Sequence, residues 1–95
     1  MKVVYAGTEC NVEKLEYEFG SGIAIDLIRV EDEEELYVCA TVNVRGSRLE
    51  KDEVLIDVNN AEGLLEVLEA AGVVKATGRM VNSGFCTYPV CKVLI

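Results

Sequence analysis

The sequence predicts an α+β fold, a twisted antiparallel β-sheet of about five to six strands covered by one α-helix at about residues 60–71. Three observations predict it. Apolar and polar residues alternate with a period of two over most of the chain, a single stretch carries a helical stripe, and glycine or charged clusters punctuate the runs. A length of 95 residues suits a single domain, 1–95, with one hydrophobic core.

The first segment, "KVVYA", reads as a strand. In "KLEYEF", Leu15, Tyr17 and Phe19 share one face and Glu16 and Glu18 the other, the pattern of a strand with one wet side, until Gly20-Ser21-Gly22 breaks it. "IAIDLIRV" (23–30) is rich in β-branched residues and changes phase near Leu27-Ile28, which predicts a bulge there or burial of both faces. The acidic "EDEEE" joins it to "LYVCATVNV" (36–44), where apolar residues again alternate with Tyr37, Cys39, Thr41 and Asn43. Two long alternating runs across a short charged link predict an antiparallel hairpin.

"RGSRLEKDE" (45–53) is a polar loop and "VLIDV" (54–58) a short strand. The helix follows. Asn59 and Glu62 have the N-cap and N3 spacing of a capping box, Ala61, Leu64, Leu65, Leu68 and Ala71 form the apolar stripe, and Gly72 supplies a left-handed end. "VVKATG" and "CTYPVCKVLI" close the sheet, with Pro89 favouring an edge or a bulge.

Composition sets the function classes. The apolar share is 51% and the charged share 27%, a globular balance. There is no basic leader with an apolar core and no run near the roughly 20 apolar residues that span a bilayer. The chain is therefore expected to be soluble and cytoplasmic, without a membrane, and its four cysteines to be free thiols. The net charge of −8 is uneven: residues 1–53 carry 13 acids and 6 bases, residues 54–95 only 4 and 3. Such a balance repels phosphate, so direct nucleic-acid binding is not expected and a basic protein is the better partner.

The segments "GIAIDLIRVEDEEELYVCATVNV", "VLIDVNNAEGLLEVLEAAGVVKATGR" and "SGFCTYPVCKV", in this order, resemble a family of uncharacterised proteins of roughly 100 residues encoded by bacteriophages, plasmids and other mobile elements. The resemblance covers about residues 12–94, and "ATVNV", "GVVKATGR" and "SGFCTYPVC" carry it most specifically. It implies a context and no reaction. Small accessory genes of such elements often counter host defence inside the bacterial cell, by binding a defence enzyme or the nucleotide signal that activates it.

Two cysteines with four residues between them, Cys86 and Cys91, approach metal-ligand spacing, and Cys10 and Cys39 complete a count of four. Positions five apart on a strand face opposite sides, however, and the chain has no histidine, so these are read as small apolar thiols and no metal or cofactor is expected. No base is at hand for a nucleophile, and the chain is expected not to be an enzyme. The leading ligand feature is Arg79 with the turn Asn82-Ser83-Gly84 and the aromatics Phe85 and Tyr88: a guanidinium fork for phosphate, directional polar groups and rings to stack on a base. An ordinary turn with cross-strand aromatics is the plainer reading. Glu31, Asp32, Glu33, Glu34 and Glu35 form a second candidate, a partner-binding acidic run, against which stands a solvated hairpin tip.

The function expected is that of a non-catalytic accessory protein that antagonises antiviral defence by binding. In its sharpest form it is a homo-oligomeric sponge for a cyclic nucleotide or related signalling molecule, held in a pocket shared between subunits. The alternatives are an acidic inhibitor of a CRISPR or restriction nuclease, mimicking nucleic acid, and a small structural or assembly protein.

Overall fold

The computed structural model describes residues 1–16, 22–31, 35–44 and 46–95. Its strands are β1 (Lys2–Tyr5), β2 (Thr8–Glu16), β3 (Ile23–Arg29), β4 (Leu36–Cys39), β5 (Thr41–Val42), β6 (Glu53–Ile56), β7 (Val74–Ser83) and β8 (Cys86–Val93), with one helix, α1 (Leu64–Ala70), between β6 and β7. They form two four-stranded antiparallel sheets, ordered β1-β2-β3-β4 and β5-β6-β8-β7. The antiparallel, mixed α and β character agrees with the sequence; the single sheet of five to six strands does not.

The second sheet arises at Ala40. The run 36–44 was expected to be one strand, but it bends where Ala40, fully buried, donates its N–H to Ile25 O at 2.8 Å and accepts from Asp57 N at 2.9 Å. Thr41 Oγ1 also accepts from Ile25 N at 3.1 Å. One residue thus bonds to β3 of the first sheet and to the end of β6 in the second, so the chain changes sheets without orphaning a buried amide. Alternation continues through such a corner, which is why period-two patterning alone does not reveal it.

The turns follow from backbone chemistry. β1 and β2 pair through Tyr5↔Thr8, leaving the two-residue loop Ala6-Gly7 with φ of +50° and +78°, the type I′ pattern that matches strand twist. The phase change at Leu27-Ile28 is a register shift against β4, as expected.

Helix α1 is shorter than the sequence suggests and starts later. No side chain caps it; its N-cap is Gly63, left-handed at φ +78°. Asn59 instead donates its amide to Thr87 O of β8 at 3.1 Å, and Asn60 donates to the Asp57 carboxylate at 3.1 and 3.3 Å. Residues 57–63 therefore form a tied-down turn, held also by Tyr5 Oη donating to Glu62 O at 2.8 Å. These tertiary bonds outcompete the capping box, whose local gain is only about 1 kcal/mol. The helix does not cover one sheet face either. It buries Leu64 and Leu68 while lying against β1 of one sheet and β7 of the other, bridging their free edges.

The core lies between the sheets. Val3, Cys10, Ile25 and Leu27 face Val54, Ile56, Val74, Cys91 and Val93, with Leu64 and Leu68 between the edges. Among the described residues no helix is long and apolar enough to cross a membrane.

Candidate functional site: the β7–β8 ribbon

β7 and β8 pair over their length except at one interruption. Between Ala76↔Cys91 and Met80↔Pro89, three residues of β7, Thr77, Gly78 and Arg79, oppose Val90 alone. Gly78 takes φ +88° at this bulge, and Thr77 Oγ1 ties it down by donating to Val90 O at 2.9 Å and accepting from Arg79 N at 3.2 Å. A bulge re-aims side chains, and here it re-aims Arg79.

Arg79 reaches across β8 to Glu53 at the head of β6, where its Nη2 pairs with Glu53 Oε2. Glu53 is 9% exposed, and its other oxygen accepts from Glu50 N at 2.9 Å. The Arg79 guanidinium beside it, then the Glu50 amide, hold the Glu53 carboxyl below the usual carboxylate range, and the same pairing raises Arg79. The register puts Glu53, Leu55, Val90 and Lys92 on the face of the second sheet that points away from the core. Leu55 and Val90 are nonetheless buried there. The sequence pattern puts Glu53 at the end of the polar loop 45–53 and does not single it out, whereas in the structure it is the first residue of β6. The signal available was its position before an unbroken apolar run, "EVLI", all four residues of which are buried.

Beyond Pro89 the two strands leave the sheet. The β6–β8 ladder ends at Leu55↔Val90, so Pro89, which has no N–H to give, sits where β8 loses its second neighbour. The remaining ribbon closes through Ser83↔Cys86 with the loop Gly84-Phe85. Gly84 has φ +61° and Phe85 is not among the positive-φ residues, the II′ arrangement with glycine first. Phe85 is fully exposed and Met80 55% exposed. Thr87 Oγ1 donates to Asn82 Oδ1 at 2.9 Å across the ribbon, and contact with Cys86 together with burial raises the Tyr88 phenol.

The structure thus brings Asn82, Ser83, Gly84, Phe85 and Tyr88 together on one ribbon, and places Arg79 at its base, engaged by Glu53. In the acidic run, Glu31 and Glu35 flank Arg29, at 3.9 Å from Nη2 and 3.6 Å from Nη1; Asp32, Glu33 and Glu34 lie outside the described residues.

The first sheet also carries a concavity that the sequence does not signal. A cleft of about 330 Å³ is lined by Gly7, Thr8, Glu9, Arg29, Val30 and Glu31. Arg29 Nε is buried with no hydrogen-bond partner among the described residues. With Glu9, Glu31 and Glu35 around a single guanidinium, the cleft disfavours phosphate.

The thiols do not converge. Cys10 and Cys91 are buried, Cys86 is half-buried on the ribbon and Cys39 is exposed on β4. Burial pushes Cys91 up to about 11, and it raises Cys10 and, with a hydrogen bond to Asp26, Cys39. Among the described residues no cluster of three or more ligating side chains could hold a metal ion.

Neither a search of curated proteins nor one of solved structures finds a match. A family model does match, over residues 11–94, which takes in most of β2, the strands β3 to β8, the helix and the ribbon. The chain belongs to the family described as Domain of unknown function (DUF4313).

Proposed function

We propose that this is a non-catalytic binding protein whose contact element is the β7–β8 ribbon, with Phe85 at its tip as the anchor. The carrying observation is a fully exposed phenylalanine on a tight II′ turn. An aromatic held in that way loses little entropy on binding, and burying it in a partner's pocket yields about 1.5–3 kcal/mol. The resemblance to accessory proteins of mobile elements supplies the setting, antagonism of host defence. The nucleotide-sponge form of this reading rests on Asn82, Ser83 and Tyr88 and requires Arg79 to exchange Glu53 for a phosphate.

The test is phage plating on bacteria that each carry one defence system, with the chain expressed. The wild type is expected to lift one block and Phe85→Ala to lose that effect while remaining folded by circular dichroism. An undiminished effect from Phe85→Ala, or turnover of a defence signal by the purified chain, would contradict the proposal. A melting-temperature screen with cyclic dinucleotides isolates the sponge form, which a flat response would remove.

One observation favours a second reading, the acidic inhibitor. β2 turns Glu9 and Glu13 outward, and the register sets Glu13 directly opposite Asp26 on β3. Like charges so placed are destabilising, and a basic partner relieves them. On that reading Glu13→Gln raises the melting temperature and weakens inhibition of a purified nuclease; unchanged inhibition removes it.

A further inference from the structure

We infer that a second copy of this chain pairs antiparallel along the β7 edge between Met80 and Ser83, joining the four-stranded sheets of two copies into one continuous sheet. The inference does not depend on Phe85 or on any target, and it comes from following each backbone group on the free edges of the ribbon.

Most of those edges are closed by the chain itself. On the β8 side, Thr87 C=O is taken by the Asn59 amide at 3.1 Å, and Pro89 has no N–H. On the β7 side, Ala76 N–H donates to Glu69 Oε2 of the helix at 3.2 Å, Arg79 N–H is turned to Thr77 Oγ1 at 3.2 Å, and the bulge at Gly78 bends the strand between them. The run that stays open on both N–H and C=O is Met80 to Ser83; on the β8 side, among the described residues, only the isolated Thr87 N–H is left.

The two-residue turn fixes which groups point outward there. It makes Ser83↔Cys86 a hydrogen-bonded pair, and antiparallel pairs alternate, so Val81↔Tyr88 is bonded while Asn82↔Thr87 and Met80↔Pro89 are not. The outward Thr87 carbonyl that Asn59 captures is independent evidence for that phase. Met80 and Asn82 therefore each turn an N–H and a C=O away from β8, and among the described residues no hydrogen bond reaches them.

Charge singles out the same stretch. Exposed edges are ordinarily blunted by charged side chains, yet residues 80–91, "MVNSGFCTYPVC", contain none in a chain that is 27% charged. It is the longest uncharged segment of the sequence. Two copies of a chain with net charge −8 repel each other, and the ribbon is where they approach with the least like-charge contact.

The stretch is also self-complementary. With Val81 of each copy on a twofold axis, Met80 of one lies opposite Asn82 of the other. Each such pair exchanges two N–H···O=C bonds, so every outward group of both copies is satisfied, and the contact closes as an isologous dimer. An unrelated extended strand would use the same bonds but would not need this symmetry.

Sedimentation of the full chain tests the inference. The wild type is expected at twice its 10.4 kDa mass, dissociating on dilution. Asn82→Pro removes one outward N–H and leaves the β7–β8 ladder intact; Met80→Lys puts a charge on the edge. Both are expected to sediment as monomers with unchanged circular dichroism, and Phe85→Ala to remain dimeric. A wild type that stays monomeric at sub-millimolar concentration overturns the inference, as does a dimer that persists in both edge variants. So does an edge that accepts only a strand from a different protein. Because Phe85→Ala is scored separately, failure of the pairing and failure of the contact role of Phe85 are distinguishable.

Discussion

At the scale of single residues, Glu53 carries the most consequence. A carboxylate that is 9% exposed tolerates its charge because Arg79 and the Glu50 amide replace lost water. Its pKa is lowered in the folded chain, so the pair's contribution is fully present above the ordinary glutamate pKa of about 4.3 and is lost as pH falls through the lowered value. The melting-temperature difference between wild type and Arg79→Ala is accordingly expected to be largest near neutral pH and to shrink on acidification below that range. A difference that stays constant to low pH would show that Arg79 acts through packing. Arg79 was legible in the sequence as a residue of interest, but its partner lies 26 positions away on a strand that does not neighbour its own. Spacing along the chain carries no trace of that contact.

At the scale of elements, local chemistry and tertiary competition divide the outcome. The bulge at Leu27-Ile28 and the strand runs at 2–5, 23–29 and 86–93 were readable, because alternation and its phase are properties of a few consecutive residues. The corner at Ala40 and the late start of α1 were not, since each depends on bonds to residues far away, Ile25 and Asp57 in one case and Thr87 in the other. The Ala6-Gly7 turn shows how a local rule can be violated at a cost. Ala6 has φ +50°, a conformation that costs an alanine roughly 1–2 kcal/mol. Ala6→Asn restores the Asn-Gly sequence that I′ turns favour and is expected to stabilise the fold by about 1 kcal/mol in denaturant titration. No gain, or a loss, would mean that the turn is not I′ in solution.

At the scale of the whole molecule, charge is partitioned by sheet. Residues 1–40, which hold β1 to β4, carry ten acids against three bases, whereas residues 41–95 carry seven against six. Between Arg79 and Lys92 lies the uncharged ribbon, with Phe85 at its end. The candidate segment was visible in the sequence as an unusual cluster of turn and aromatic residues. That it projects from the sheet was not, because the projection depends on where the β6–β8 ladder stops beside Pro89. The central claim at this scale is that two copies of the molecule meet along the β7 edge of this ribbon. Amide hydrogen exchange at two protein concentrations tests it most directly. Met80 and Asn82 are predicted to exchange slowly in the concentrated sample and quickly on dilution, with the amides of Ile25 and Leu55 unchanged. Fast exchange at Met80 and Asn82 at both concentrations would contradict the account.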